Sequence, residues 1–230
     1  MKFLSHLLQV FFPRVCLSCR EILSEHDREV CHKCLSKIPY TTYKLDKKNE
    51  IYQQIIPFVE VEAATALVFF SKQGIIQELM HQLKYKGHQE VGNLFGNILG
   101  KKIIEQQPDI GIDAVIPIPL HSSKLKKRGY NQLTKFGQSL SRILNANYED
   151  QILYKTLPNE TQTRKTALQR KENVKGIFDL RFPEKYQNKH LLLIDDVITT
   201  GATLVEAART LKQIEGVKIS IATIASADQL

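Results

Sequence analysis

The stretch Leu191-Leu192-Leu193-Ile194-Asp195-Asp196-Val197-Ile198-Thr199-Thr200-Gly201-Ala202-Thr203-Leu204 decides how this chain folds. Its four branched aliphatics follow polar Asn188, Lys189 and His190, and the run is too short for an independent helix. It reads as a strand buried on both faces of a parallel sheet. Two adjacent carboxylates close it. Burying like charges side by side is costly unless a cation or hydroxyl donors receive them, so Asp195 and Asp196 are expected at the strand's carboxyl end. Open α/β sheets bind their ligands at that end. Leu204, Val205, Ala207, Ala208, Leu211 and Ile214 then carry the three-and-four spacing of an amphipathic helix, which makes residues 199–203 a helix N-terminus. Free amides, the helix dipole and the hydroxyls of Thr199, Thr200 and Thr203 converge there, and Gly201 lets the backbone approach a phosphate closely. The dipole contributes only about 0.3 to 2 kcal/mol, so directed hydrogen bonds must carry most of the affinity. The loop lacks the Gly-Lys-Ser/Thr of a Walker A loop and the G-x-G-x-x-G of a dinucleotide fingerprint.

The 230 residues allow one full α/β domain and a small appendage. Lysine and arginine number 32 against 24 acidic residues, a net charge of +8 spread through the middle and rear of the chain. A field of that sign attracts polyanions, but it does not choose among a nucleotide, a pyrophosphate, nucleic acid and a merely solvated basic surface. No run approaches the roughly 20 apolar residues of a membrane span, so none is expected. Phe3, Leu4, Leu7, Leu8, Phe11 and Phe12 share one helical face and no small-residue cleavage site follows them. They predict a short helix packing on the body of the protein, with a membrane-surface role as the alternative.

Cys16-Leu17-Ser18-Cys19 and Cys31-His32-Lys33-Cys34 are two C-x2-C knuckles separated by residues 20–30. Each can present two thiolates to a tetrahedral ion while the intervening segment folds back as a ribbon. Four thiolates from Cys16, Cys19, Cys31 and Cys34 leave no open position, so a structural zinc is expected, holding a module too small for its own core. His26 or His32 could each replace a cysteine. Paired cysteines fit a reducing cytoplasm and a metal better than disulfides.

Residues 36–57 read as a polar connecting segment, and Ala63 to Phe70 as a strand. Ile75, Ile76, Leu79, Met80 and Leu83 lay down a helix that ends at Lys84-Tyr85-Lys86-Gly87, and a second helix runs from about Val91 to Glu105. Gly92, Gly96 and Gly100 on that helix allow a neighbour to come close. Asp113 to Pro119 is a second buried strand whose prolines end regular pairing. A loop bearing Lys124, Lys126, Lys127 and Arg128 follows, before a helix through Leu133, Phe136, Leu140 and Ile143. A charge run is ordinarily a solvated face, but cations on the same rim as Asp195 suit a pyrophosphate. Residues 162–178, rich in cations, suit either a flap closing over reactants or an exposed basic helix. Val217 to Ala225 alternates into a closing strand.

Asp195 to Thr203 resembles the phosphoribosyl-pyrophosphate (PRPP) motif of type I phosphoribosyltransferases. The resemblance implies that Asp195 and Asp196 receive the ribose 2′- and 3′-hydroxyls while Thr199, Thr200, Gly201, Ala202 and Thr203 hold the 5′-phosphate. Pro117-Ile118-Pro119-Leu120-His121 and Arg128-Gly129-Tyr130-Asn131-Gln132 are similar to the Pro-x-Pro-Leu-His and Arg-Gly-Phe-Asn-Gln stretches of the ComF family, with Tyr130 where phenylalanine is usual. This places Arg128, Gly129 and Asn131 on the pyrophosphate side. Gln162, Thr163, Arg170, Asn173 and Phe178 fall at that family's flexible-loop positions, although Lys165 replaces its usual leucine. The cysteine knuckles, Leu83-Lys84-Tyr85-Lys86-Gly87, the Pro-x-Pro loop, the flap and the PRPP motif occur in family order.

The ComF resemblance implies a type I phosphoribosyltransferase fold, a mainly parallel open α/β sheet with flanking helices, over 46–230. Within it, 46–72 is a connector and hood strand and 73–230 the core; an N-terminal helix and zinc ribbon occupy 1–45. It further implies magnesium-dependent transfer of phosphoribosyl from PRPP to a nitrogen acceptor, in a cytoplasmic protein associated with natural competence, the uptake of DNA for transformation. The alternative is a non-catalytic adaptor of the same fold that senses PRPP or binds single-stranded DNA or a competence helicase. The acceptor is not legible, because no base pocket is recognisable in the first hundred residues.

Overall fold

The computed structural model describes residues 13–156 and 176–227, so the helix expected over the first twelve residues and the flap positions Gln162, Thr163, Arg170 and Asn173 lie outside the described residues. In chain order come α1 (His32–Leu35), α2 (Glu50–Ile55), β1 (Ala63–Phe70), α3 (Ile75–Tyr85), α4 (Glu90–Gln106), β2 (Ala114–Pro117) and α5 (Ser122–Arg128). They are followed by α6 (Thr134–Leu144), β3 (Asn147–Tyr148), β4 (Leu153–Lys155), β5 (Phe178–Leu180), β6 (His190–Ile198), α7 (Ala202–Leu211) and β7 (Lys218–Ala227). Five strands form a sheet in the order β1-β7-β6-β2-β3, every pairing parallel. Strands β4 and β5 make a separate antiparallel ribbon.

Strand β6 takes the centre of the sheet because its aliphatic run demands cover on both faces: Leu191, Leu192, Leu193 and Ile194 are all 0% exposed. Helix α6 packs on β2 and β3, α4 packs on α6, and α7 lies against β6 and β7. The α4–α6 approach explains the glycines of α4. A Cβ on Gly96 would stand 2.6 Å from the Phe136 carbonyl oxygen and 2.7 Å from Ser139 Cβ.

Several expectations need correction. Strand β7 is last in sequence but interior in the sheet, lying between β1 and β6 and buried from Ile219 to Ser226. Its apparent alternation comes from Ser220 and Thr223, whose short hydroxyls are satisfied locally, by His190 Nε2 at 2.9 Å and by the Ala225 carbonyl at 3.2 Å. Strand β1, expected in a hood, is instead part of the main sheet, paired with β7 and buried over Ala63 to Val68.

The segment 36–57 is no loose connector. Leu45, Ile51 and Ile55 are buried, and bridges Tyr40↔Val68 and Asp46↔Ala64 run along the outer edge of β1. Thr41 Oγ1 donates to the Ala66 carbonyl at 2.5 Å and Asn49 Nδ2 to the Ala64 carbonyl at 2.6 Å, so polar side chains that looked solvated close the backbone of an edge strand. Asn49 also caps α2, its Oδ1 accepting from Tyr52 N at 3.0 Å.

The basic stretch read as a loop is the helix α5, which buries no residue. It lacks an apolar stripe to announce it and is held instead at its ends. His121 Nδ1 accepts from Ser123 N at 3.3 Å, three cations occupy the last turn, and Gly129 at φ 80° closes it. Among the described residues no helix is long and apolar enough to cross a membrane.

Candidate functional site

Strand pairing decides where the two aspartates stand. Strand β2 accompanies β6 only as far as Pro117↔Ile194, whereas β7 continues through Asp195↔Thr223, Val197↔Ala225 and Ile198↔Ser226. The strand therefore runs past the carboxylates rather than ending at them, and Asp195 and Asp196 stand at a notch where one neighbour has left the sheet. Successive strand residues face opposite sides, so the two acids have different surroundings.

Asp196 is 9% exposed and receives two donors on one oxygen. Lys84 Nζ lies 3.1 Å from its Oδ2, and Gln132 Nε2 donates to the same atom at 2.6 Å. Asp195 is half-buried, and its Oδ1 accepts from the Asp196 amide at 2.8 Å. Burial, and then the charge of Asp196, push the Asp195 carboxyl up to about 7, with Lys84 and Lys155 pulling against the rise.

The loop of residues 199–203 follows directly. Thr199 and Thr200 are exposed, and Gly201 sits in the left-handed region at φ 72° as the residue that starts α7. Helix α2 braces this loop, since Gln54 Nε2 donates to the Thr199 carbonyl at 2.5 Å and a Cβ on Gly201 would stand 2.9 Å from Ile55 Cδ1. The first-turn amides of α7 have no intrahelical acceptors by the geometry of a helix, which suits an anion. Ala202 is exposed and Thr203 half-buried on that turn.

Residues 96–229 match the phosphoribosyl transferase domain. The chain belongs to that family. It is 32% identical over 139 residues to the DNA utilization protein YhgH of Shigella flexneri, a match covering 59% of this chain and 60% of that protein. It is 27% identical over 198 residues to competence protein ComFC of Bacillus subtilis, covering 86% of this chain and 78% of that one. The chain spans about 60% of the length of the YhgH relatives it matches. Among solved structures it is similar to adenine phosphoribosyltransferase from Saccharomyces cerevisiae, at 14% identity and a TM-score of 0.38 over 61% of this chain and 69% of that one.

The remaining expected residues of the phosphoribosyltransferase domain surround the notch in different ways. Arg128 donates to Gln132 Oε1 and stacks its guanidinium 5.4 Å from the Tyr85 ring centre. Gly129 terminates α5. Asn131 serves the backbone: its amide donates to the Ile118 carbonyl at 3.2 Å and its oxygen accepts from Leu133 N at 3.0 Å, joining the end of β2 to the start of α6. On either side of residues 157–175, Thr156 donates its amide to the Ile177 carbonyl at 3.0 Å and Gly176 donates its amide to buried Glu206 at 2.5 Å. Lys155, next to Thr156, is lowered below the ordinary lysine value by burial and by Lys124, with Asp195 opposing.

Sequence reasoning gave no site role to Lys84, Gln132, Gln54 or Lys155. Lys84 passed for a lysine at a helix end, and only its reach to Asp196 gives it another meaning.

The four sulfurs of Cys16, Cys19, Cys31 and Cys34 lie within 4.8 Å of one another. Cys19 Sγ and Cys31 Sγ are 3.7 Å apart. Zinc–sulfur bonds of about 2.3 Å in a tetrahedron put neighbouring sulfurs about 3.8 Å apart, so the cluster fits a zinc ion held by four thiolates. Burial raises the Cys16 thiol, but the backbone amides of Cys19, Cys31 and Ser18 outweigh it and bring it down to about 7. Burial pushes Cys34 up to about 12, a thiol that a bound cation would deprotonate. His32 stands instead beside Asp27, at 3.8 Å. Arg20, next to Cys19, pairs with Glu78 of α3 at 2.9 Å and ties the knuckles to the main domain.

Proposed function

We propose that the notch binds PRPP and that the protein transfers its phosphoribosyl group to a nitrogen acceptor. The observation that carries this reading is the direct succession, on one strand and one helix start, of a carboxylate pair at a sheet notch and a left-handed glycine opening α7. Thr199, Thr200, Gly201, Ala202 and Thr203 would receive the 5′-phosphate. Asp195 and Asp196 would hold the vicinal hydroxyls. Arg128, at the open end of α5, would face the pyrophosphate, with Gly129 and Asn131 shaping the turn behind it.

The acceptor nitrogen would attack the anomeric carbon as the carbon–oxygen bond to pyrophosphate breaks; pyrophosphate leaves with the bonding electrons and the nitrogen gives up a proton. Positive charge grows on the sugar beside Asp195 and Asp196, and negative charge grows beside Arg128. Positioning and charge stabilisation suffice, with no covalent intermediate on the protein. Asp195 and Asp196 offer the oxygen donors a hard cation prefers, and magnesium carried in with the pyrophosphate would supply neutralising charge. Cys16, Cys19, Cys31 and Cys34 would hold a structural zinc.

A second reading is favoured by the exposed face of α5. Lys124, Lys126 and Lys127 project from a helix that buries nothing, beside Tyr85 at 67% exposure. That surface, together with the DNA-utilization and competence relatives, supports an adaptor that takes PRPP as a signal and binds single-stranded DNA or a helicase. Incubation with PRPP, magnesium and a panel of nucleobases separates the two. Base-dependent release of pyrophosphate is expected of the transferase, while tight PRPP binding without turnover overturns catalysis and favours the adaptor.

A further inference from the structure

We propose that Lys84 and Gln132 are positioning residues of this site, acting on the ligand through Asp196 and not by touching it. The inference rests on the PRPP reading above and names two residues outside the motif that carries it. Both donors fall on one oxygen of Asp196, Lys84 Nζ at 3.1 Å and Gln132 Nε2 at 2.6 Å. A carboxylate tied twice through one atom has its plane fixed by the surrounding fold, and the ammonium offsets the repulsion from Asp195 next door. The ties are shielded: Gln132 is 6% exposed and the Lys84 side chain 23%.

Each tie is itself braced. Gln132 is held at its other end by Arg128, Arg128 lies over the ring of Tyr85, and Tyr85 is the residue after Lys84. Tyr130 closes the same ring of contacts, its hydroxyl donating to the Leu83 carbonyl at 2.5 Å. The end of α3, the end of α5 and the notch on β6 thus form one circuit around Asp196. What singles out Lys84 and Gln132 is that both end on the same oxygen of Asp196, so the circuit fixes the direction of that carboxylate.

The test compares two ligands that share the ribose and the 5′-phosphate, PRPP and ribose 5-phosphate, titrated calorimetrically in magnesium against the full chain. Lys84→Met is expected to weaken both by the same factor, about 10- to 100-fold, the range typical when a partner that orients a ligating group is lost. Lys84→Arg should recover most of the affinity. Gln132→Leu should weaken both ligands as well, and the double variant should cost less than the product of the single losses, because both donors act on one atom. A loss confined to PRPP would overturn the proposal, since Lys84 would then meet the pyrophosphate itself; so would unchanged affinity for both ligands, or strictly multiplicative losses. Should Lys84→Met fail to fold, Gln132→Leu alone carries the comparison. A wild-type chain that binds neither ligand sinks the PRPP reading itself, a different failure from any of these.

Discussion

Replacing Asp195 by asparagine should stabilise the ligand-free protein while destroying its site. The carboxyl is held at about 7, against an ordinary value of 3.8, by burial and by the charge of Asp196. A native state that binds this proton more tightly than the unfolded chain does loses stability as pH rises between those two values and recovers none above them. The full shift, at about 1.4 kcal/mol per pH unit, sets a ceiling of roughly 4 kcal/mol. Lys84 and Lys155 offset part of the repulsion and solvent reaches Asp195, so a gain of about 1 to 2 kcal/mol is expected for Asp195→Asn at pH 8. For a chain of this size that is a rise in melting temperature of roughly 2 to 8 °C. The gain should shrink at pH 5, where the wild-type carboxyl is already mostly protonated. Scanning calorimetry at the two pH values reads this directly. A variant less stable than wild type at pH 8, or an equal gain at both pH values, would refute the reasoning.

Gly201→Ala must place a Cβ at φ 72° and 2.9 Å from Ile55 Cδ1, so a loss of about 1 to 3 kcal/mol in urea unfolding is expected, with weaker ligand binding because the loop shifts against α2. Gly96→Ala meets the Phe136 backbone at 2.6 Å and should cost about 1 to 3 kcal/mol with little change in ligand affinity per folded molecule. Thiol titration of the purified chain should release about one zinc, detected with a chromogenic chelator. Cys34→Ser should abolish that release and lower the melting temperature.

The centre of the fold was legible because it is written in local chemistry. An unbroken run of branched aliphatics bounded by polar residues reads as a strand covered on both faces, and β6 is that strand. The clustering of the four cysteines was legible for the same reason, since two C-x2-C pairs at that spacing can bring four sulfurs together, as they do here. What escaped was decided by long-range partners. The polar residues of 36–57 look solvated until the unpaired edge of β1 is placed beside them, and Ser220 looks like part of an exposed face until His190 of the neighbouring strand β6 is placed beside it. Helix α5 has no buried stripe for periodicity to find. Lys84 and Asp196 lie far apart in sequence, and nothing local to either announces a 3.1 Å contact.

The most direct measurement of the central claim is calorimetric titration of PRPP, with magnesium, into the wild-type chain and into the double variant Asp195→Asn, Asp196→Asn. Wild type is expected to bind, and the double variant to show no measurable heat of binding while keeping its fold by circular dichroism. Equal affinity in the two proteins would mean that the sugar phosphate sits elsewhere, and the assignment of the notch on β6 would be wrong.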